Sequence, residues 1–153
     1  MATARPAAPD LRSLRTPGGV GGGRGGIEGD PISLDSVDPK FSEYLARIKQ
    51  KIEANWGYPC VKDNVTKECQ YRNAALVIEF GILKDGHVQF VELHRSSGMG
   101  IYDDYALNAI KLSTPFPEIP RDIMLAMKKG STGMPIVATF TYTVETSLRN
   151  LLR

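Results

Sequence analysis

Ser97, His94 and Asp103 are near neighbours in the chain and carry the nucleophile, base and orienting acid of acyl-transfer chemistry. A triad is defined by geometry, and Ser97 lacks the strand, sharp turn and helix that expose a hydrolase serine. No catalytic residue is therefore assigned, and the chain is not read as an enzyme. Glu79 and Glu92 fall on neighbouring predicted strands and could mimic a carboxylate pair, but charges on a solvated strand face explain them as well. Cys60 and Cys69 share one polar loop; zinc would need two further ligands, and His87 and His94 both lie in a predicted strand, so no metal is assigned. Two readings of the cysteines stand: free thiols, or a short-range disulfide around residues 61–68 that would imply an oxidising compartment. The glycine-rich run at 17–26 has neither the preceding strand nor the following helix of a phosphate loop. No cofactor is expected. The last run of alternating residues offers main-chain chemistry instead. Ile136, Ala138, Phe140, Tyr142 and Val144 alternate with Val137, Thr139, Thr141 and Thr143. From Val137 onward that run has none of the charge or proline that normally blocks a sheet edge. Its N–H and C=O groups are the candidate partner site, taking a peptide as an added strand.

The composition narrows the classes of partner. With 153 residues, 42% hydrophobic and 24% charged, the chain suits one ordinary domain. A net charge of +2 without a long block of like charge gives no nucleic-acid or polybasic membrane surface. No apolar run is long enough to span a bilayer. Met1 to Pro6 lacks the apolar core of a secretory signal, so an exported protein would carry its export or anchoring segment outside this sequence.

The elements that must position the candidate edge can be placed by period and punctuation. Residues 1–37 are rich in Gly, Pro and Arg and read as a disordered linker, leaving 38–153 as the domain. Asp38-Pro39 starts a helix carrying Phe41, Tyr44, Leu45, Ile48, Ile52 and Trp56 on one stripe; Gly57 is expected to give its left-handed stop, with Pro59 beyond. Residues 73–83 and 87–94 alternate as strands around the turn Lys84-Asp85-Gly86, with a bulge expected where the phase slips between Phe90 and Val91. Ser96, Ser97 and Gly98 make a turn, and Asp103 or Asp104 is expected to cap a second helix with Tyr102, Ala106, Ala109 and Ile110 inward. Pro115 stops that helix, and Phe116 is read as a plug over the sheet edge. Residues 121–129 suit a short helix, and Leu148, Leu151 and Leu152 suit a helical turn in the tail. The order is α-β-β-α-β: an α+β fold in which a small antiparallel sheet of about three strands is covered on one face by two helices.

Several of these elements recur together in one known family. Trp56-Gly57-Tyr58-Pro59, the Gly81 to Gly86-His87-Val88 hairpin, Ser96-Ser97-Gly98, Asp104-Tyr105-Ala106 with Ala109-Ile110, Pro115-Phe116-Pro117 and Phe140-Thr141-Tyr142 keep a common order. Over residues 42–144 the chain resembles the C-terminal domain of TonB/TolA-type energy transducers. The resemblance implies a periplasmic domain of a protein anchored in the inner membrane, working with a proton-driven motor complex through an anchor absent from this sequence. It implies binding to the TonB box of an outer-membrane transporter, added as a strand to the sheet. The alternative is a TolA-like or accessory scaffold domain that docks on periplasmic proteins or forms a homodimer through the same edge. Trp56, Tyr58 and Phe116 read as packing residues in either case. The sequence departs from the family in its Gly/Arg-rich linker, in the missing anchor and in the insertion that carries Cys60 and Cys69.

Overall fold

Helix and strand starts follow the local chemistry of the chain, and the computed structural model describes residues 23–144. Helix α1, Pro39–Ala54, opens where Pro39 fits the first helical position and the Asp38 carboxylate accepts the Lys40 N–H at 2.9 Å. Such a cap stabilises a helix by about 1 kcal/mol. Its stripe buries Tyr44, Leu45, Ile48 and Ile52, with Phe41 and Trp56 partly buried against the same core. Gly57 is not the expected left-handed stop, since its φ is not positive. Asn55 ends the helix instead: its side-chain amide donates to the Lys51 carbonyl at 3.0 Å and to Ser113 Oγ at 3.1 Å. The free carbonyls of the last turn are satisfied there, so no glycine is required.

The sheet contains four strands in the order β1-β6-β4-β5, where β1 is Ile32–Ser33, β4 is Ala74–Leu83, β5 is Val88–Arg95 and β6 is Gly133–Tyr142. The central pair is β4 and β6, antiparallel along their whole length from Ala74 opposite Tyr142 to Leu83 opposite Gly133. A separate ribbon of β2, Val61–Lys62, and β3, Cys69–Gln70, is closed by the Cys60–Cys69 disulfide, which decides between the two readings of the cysteines. Helices α2, Gly100–Ser113, and α3, Arg121–Ala126, follow the hairpin. The α+β class, the helix-covered sheet and the short helix expected within 121–129 are found; the parallel strand β1 and the β2–β3 ribbon extend the simpler order read from periodicity.

Helix α2 begins one turn earlier than expected. Met99 is its N-cap residue, and Asp103 lies inside the first turn. The Asp103 carboxylate reaches back to accept the Ser97 N–H at 2.8 Å and the Ser96 hydroxyl. The turn is thus tied to the helix by an acid already in it, a placement that complements the helix N-terminus. Tyr102, Ala106, Ala109 and Ile110 face inward as expected.

At the hairpin tip Gly86 has φ +96°, and a Cβ there would lie 1.9 Å from the Phe116 carbonyl oxygen. The Phe116 N–H in turn donates to Gly86 O at 2.8 Å. Phe116 is therefore not a plug over a sheet edge but a core residue, 3% exposed and stacked 6.1 Å from Phe80. The register slips twice along β5, leaving Gln89 extra between the Gly81–Phe90 and Ile82–Val88 pairs and His94 extra between the Val77–Arg95 and Ile78–Leu93 pairs, and not between Phe90 and Val91 as expected. Phe90 and Val91 are both buried because this sheet is covered on both faces.

The cover on the second face comes from the N-terminal segment. Residues 23–37 were expected to belong to a disordered linker; in the structure Ile27 is 2% exposed and fills the space beside Gly81 that a Cβ would need. Arg24 lies over the Phe90 ring at 4.5 Å and donates to Glu79 at 3.0 Å. The buried isoleucine supplies about 2 kcal/mol, and the strap is held further by the Arg24 pair and by bonds from the Thr132 N–H to the Gly26 carbonyl, the Thr132 hydroxyl to the Gly25 carbonyl and the Glu28 N–H to Ser131 Oγ. The remaining linker expectation, 1–22, and the tail at 147–153 lie outside the described residues. Among the described residues no helix is long and apolar enough to cross a membrane.

Candidate functional site

Strand β6 has two sides with different fates. Its even-numbered residues Ile136, Ala138, Phe140 and Tyr142 are buried under the helices, while Thr139 and Thr141 expose their side chains on the opposite face and Val137 is half-buried. The strand ends at Tyr142, so Thr143 and Val144 lie just beyond it, and the Val144 N–H donates to Asn73 Oδ1 at 2.8 Å.

The backbone alternates in the same way. The Val137 carbonyl accepts the Leu34 N–H at 2.9 Å, so Val137 points its polar groups away from β4. By the two-residue period of a strand, Thr139 and Thr141 point theirs outward too. β1 covers this edge only at Ile136 and Val137. No described residue pairs with the outward N–H and C=O groups of Thr139 and Thr141. The expected open edge at 136–144 is thus halved: its first residues are already paired, and its free stretch is centred on Thr139 and Thr141.

A small groove of about 50 Å³ runs beside that free stretch. Leu34 and Asp35 form one end, Lys49, Ile52, Glu53 and Trp56 of the α1 end form the wall, and Ala138 to Phe140 form the floor. Asp35 bridges to Lys49 Nζ at 2.8 Å, and this bond holds the lysine ammonium in its charged form, raising its pKa. Trp56 is positioned by its indole N–H, which donates to Tyr142 Oη at 2.8 Å, and by edge contacts to Phe140 and Tyr142, both at 5.1 Å. The Tyr142 hydroxyl passes the chain on to the Tyr102 carbonyl at 3.0 Å. Burial raises the Tyr142 pKa well above the ordinary phenol range, so the hydroxyl stays a donor at any physiological pH. Tyr58 packs edge-on to Tyr71, Tyr102 and Tyr142 and donates to the Arg72 carbonyl. Trp56 and Tyr58 are both partly buried against the core. What sequence reasoning missed is that Trp56 also walls the groove; its place at the end of the α1 stripe was the available signal.

The residues considered for catalysis do not assemble. His94 Nε2 lies 3.0 Å from Glu79 and 3.5 Å from Glu92, on the face away from the helices, while Ser97 Oγ donates to the Met99 carbonyl at 3.0 Å. Glu79 and Glu92 do sit directly opposite on β4 and β5, an arrangement that repels. Arg24 supplies a cation at this pair, donating to Glu79 at 3.0 Å, and His94 Nε2 lies beside both carboxylates. The remaining motif residues are structural: Ser96, Ser97 and Gly98 form the turn bound by Asp103, Gly98 with φ +89°, and Pro115 and Pro117 flank the buried Phe116. The Pro117 carbonyl accepts the Tyr44 hydroxyl at 2.7 Å.

The family described as TonB C terminal matches residues 41–129. No curated protein matches the chain. Among solved structures the chain is similar to the solution NMR structure of TolAIII bound to a peptide derived from the N-terminus of TolB. That similarity has 20% sequence identity and a TM-score of 0.44, and covers 64% of this chain and 71% of that one.

Proposed function

This chain belongs to the TonB C-terminal family, whose members are periplasmic interaction domains, and from that membership we propose that it binds TonB-box peptides of outer-membrane transporters by strand addition. The observation that carries the reading is the uncharged stretch of β6 at Thr139 and Thr141, which no described residue pairs, beside a groove walled by Ile52 and Trp56. Main-chain bonds to those threonines give affinity, and the groove selects alternate side chains of the incoming strand. The Cys60–Cys69 disulfide suits an oxidising periplasm. In this reading the domain has no catalytic task. It transmits force from a proton-driven inner-membrane complex, reached through an anchor joined to its N-terminal side, to the transporter it holds. Titrating isotopically labelled protein with TonB-box peptides tests this: the Thr139 and Thr141 amides shift first. If several different boxes leave those amides unmoved, the reading fails.

A further inference from the structure

We infer that β1 is a displaceable internal occupant of the partner edge, standing where a docking strand extends, and that the partner replacing it carries apolar side chains two residues apart. The inference rests on the strand-addition reading of β6.

The free edge is short. Thr139 and Thr141 offer one N–H and one C=O each, whereas a typical strand runs to about 5–6 residues. Growth toward the C-terminal end is limited, because β6 stops at Tyr142. Growth in the other direction meets Leu34 at Val137. A partner of ordinary strand length must therefore take the place of β1.

β1 is built to yield. It is two residues long, and the segment holding it is fixed at both ends by contacts that do not involve β6. On one side Ile27 is buried, Arg24 bonds to Glu79 at 3.0 Å, and the Thr132 N–H donates to the Gly26 carbonyl at 3.0 Å. On the other side Asp35 bonds to Lys49 at 2.8 Å, and Asp38 caps α1. Between them Gly29, at φ +100°, Asp30 and Pro31 are exposed. This span can bow away from the sheet while both anchors stay in place.

What leaves with β1 defines what must arrive. Ile32 and Leu34 are half-buried and pack on the main core, and Leu34 also forms one end of the groove. An incoming strand that leaves those positions empty would expose the core. Aliphatic residues at alternate positions replace them, so the strap reads as an internal imitation of its own ligand.

Two measurements on the full chain test this. Hydrogen exchange reads the opening directly: the Leu34 and Val137 amides exchange at least about a hundredfold faster than that of Ile78, in line with a local rather than global opening. Equal protection makes β1 a permanent strand and overturns the inference. Titration with a TonB-box peptide reads the competition. Leu34→Pro removes the donor to Val137 and raises affinity about tenfold, the scale of one or two competing hydrogen bonds. Asp35→Asn loosens the Lys49 anchor without touching β1 and raises affinity by less, which covers the case of a misfolded proline variant. Joining the register partners by Ser33→Cys with Val137→Cys lowers affinity at least about tenfold until reductant is added, since only an opened edge accepts a full strand. Wild type with and without reductant corrects for Cys60–Cys69. Binding that is equal in all these proteins overturns the inference. If no peptide binds any of them while Leu34 and Val137 exchange fast, the docking function fails and the opening of β1 stands.

Discussion

Placing proline at Thr139 and at Ala138 in separate variants tests the edge through the parity of the strand. Ala138 faces β4, directly opposite Ile78, with its side chain 4% exposed. Ala138→Pro removes a ladder bond in the middle of the sheet and leaves a buried acceptor unpaired, which costs about 3 kcal/mol or more once backbone strain is added. Thr139 points its N–H outward, so Thr139→Pro breaks no bond within the protein. Its cost is the fit of φ to the proline ring, about 1 kcal/mol. For the bound partner the order reverses in kind. Thr139→Pro deletes a donor worth about 1 kcal/mol and puts ring carbons where the partner backbone must lie, so affinity for a TonB-box peptide falls roughly tenfold or more. Denaturant unfolding gives the two stabilities, and calorimetric titration gives the affinity. A Thr139→Pro protein as unstable as Ala138→Pro would contradict the outward direction of Thr139. A stable one that binds normally would show that the peptide uses a different surface.

Further predictions concern the framework behind the groove. Tyr142→Phe leaves the Trp56 indole N–H and the Tyr102 carbonyl without their partner and destabilises by about 2 kcal/mol, read as a lower denaturant midpoint at constant slope. Replacing Cys60 and Cys69 by serine opens a loop of sequence separation 9. The chain-entropy model gives a loss of about 2.5 kcal/mol for it, and a free-thiol assay on unreduced wild type reads near zero. Tyr44 and Tyr142 both have pKa values raised by burial. Their contribution is complete below the ordinary phenol pKa of about 10 and is lost as pH rises above it, because the unfolded chain ionises first. Stability measured across alkaline pH therefore declines from that point, and Tyr142→Phe makes the decline shallower.

The elements with strong local signals were legible in the sequence. The α1 stripe, the Asp-Gly hairpin and the alternation of β6 each come from neighbours in sequence; the first two appear where expected, and β6 runs from Gly133 to Tyr142 rather than from Ile136 to Val144. Legibility failed where a distant partner set the outcome. Gly57 looked like a helix stop, but the amide of Asn55 does that work by reaching Lys51 and Ser113. Asp103 looked like a cap, yet its helix starts at Gly100 and its carboxylate binds backward to the serines. Residues 23–37 looked like a tether because apolar content is low there. One isoleucine, placed over the only residue type that leaves room for it at Gly81, changes that result. The candidate site was legible as a strand but not as a half-covered one, since two residues of a glycine- and proline-flanked segment carry no periodic signal.

The two edges of the sheet are treated in opposite ways, and the contrast bears on what the β6 edge is for. β5 ends its run with Glu92, His94 and Arg95, charged or ionisable side chains of the kind that discourage pairing with another chain. β6 carries none, and its outward positions Thr139 and Thr141 are β-formers with small polar side chains that do not obstruct an approaching backbone. An uncharged edge left wholly bare would invite indiscriminate pairing. β1 covers part of it with the weakest strand in the sheet, so the remaining gap is too short to hold a casual partner firmly. A strand that also supplies the Ile32 and Leu34 contacts recovers what it displaces; one that does not must expose core. In the strand-addition reading, selectivity on this surface follows from the cost of removing β1 together with the fit of side chains to the groove beside Ile52 and Trp56.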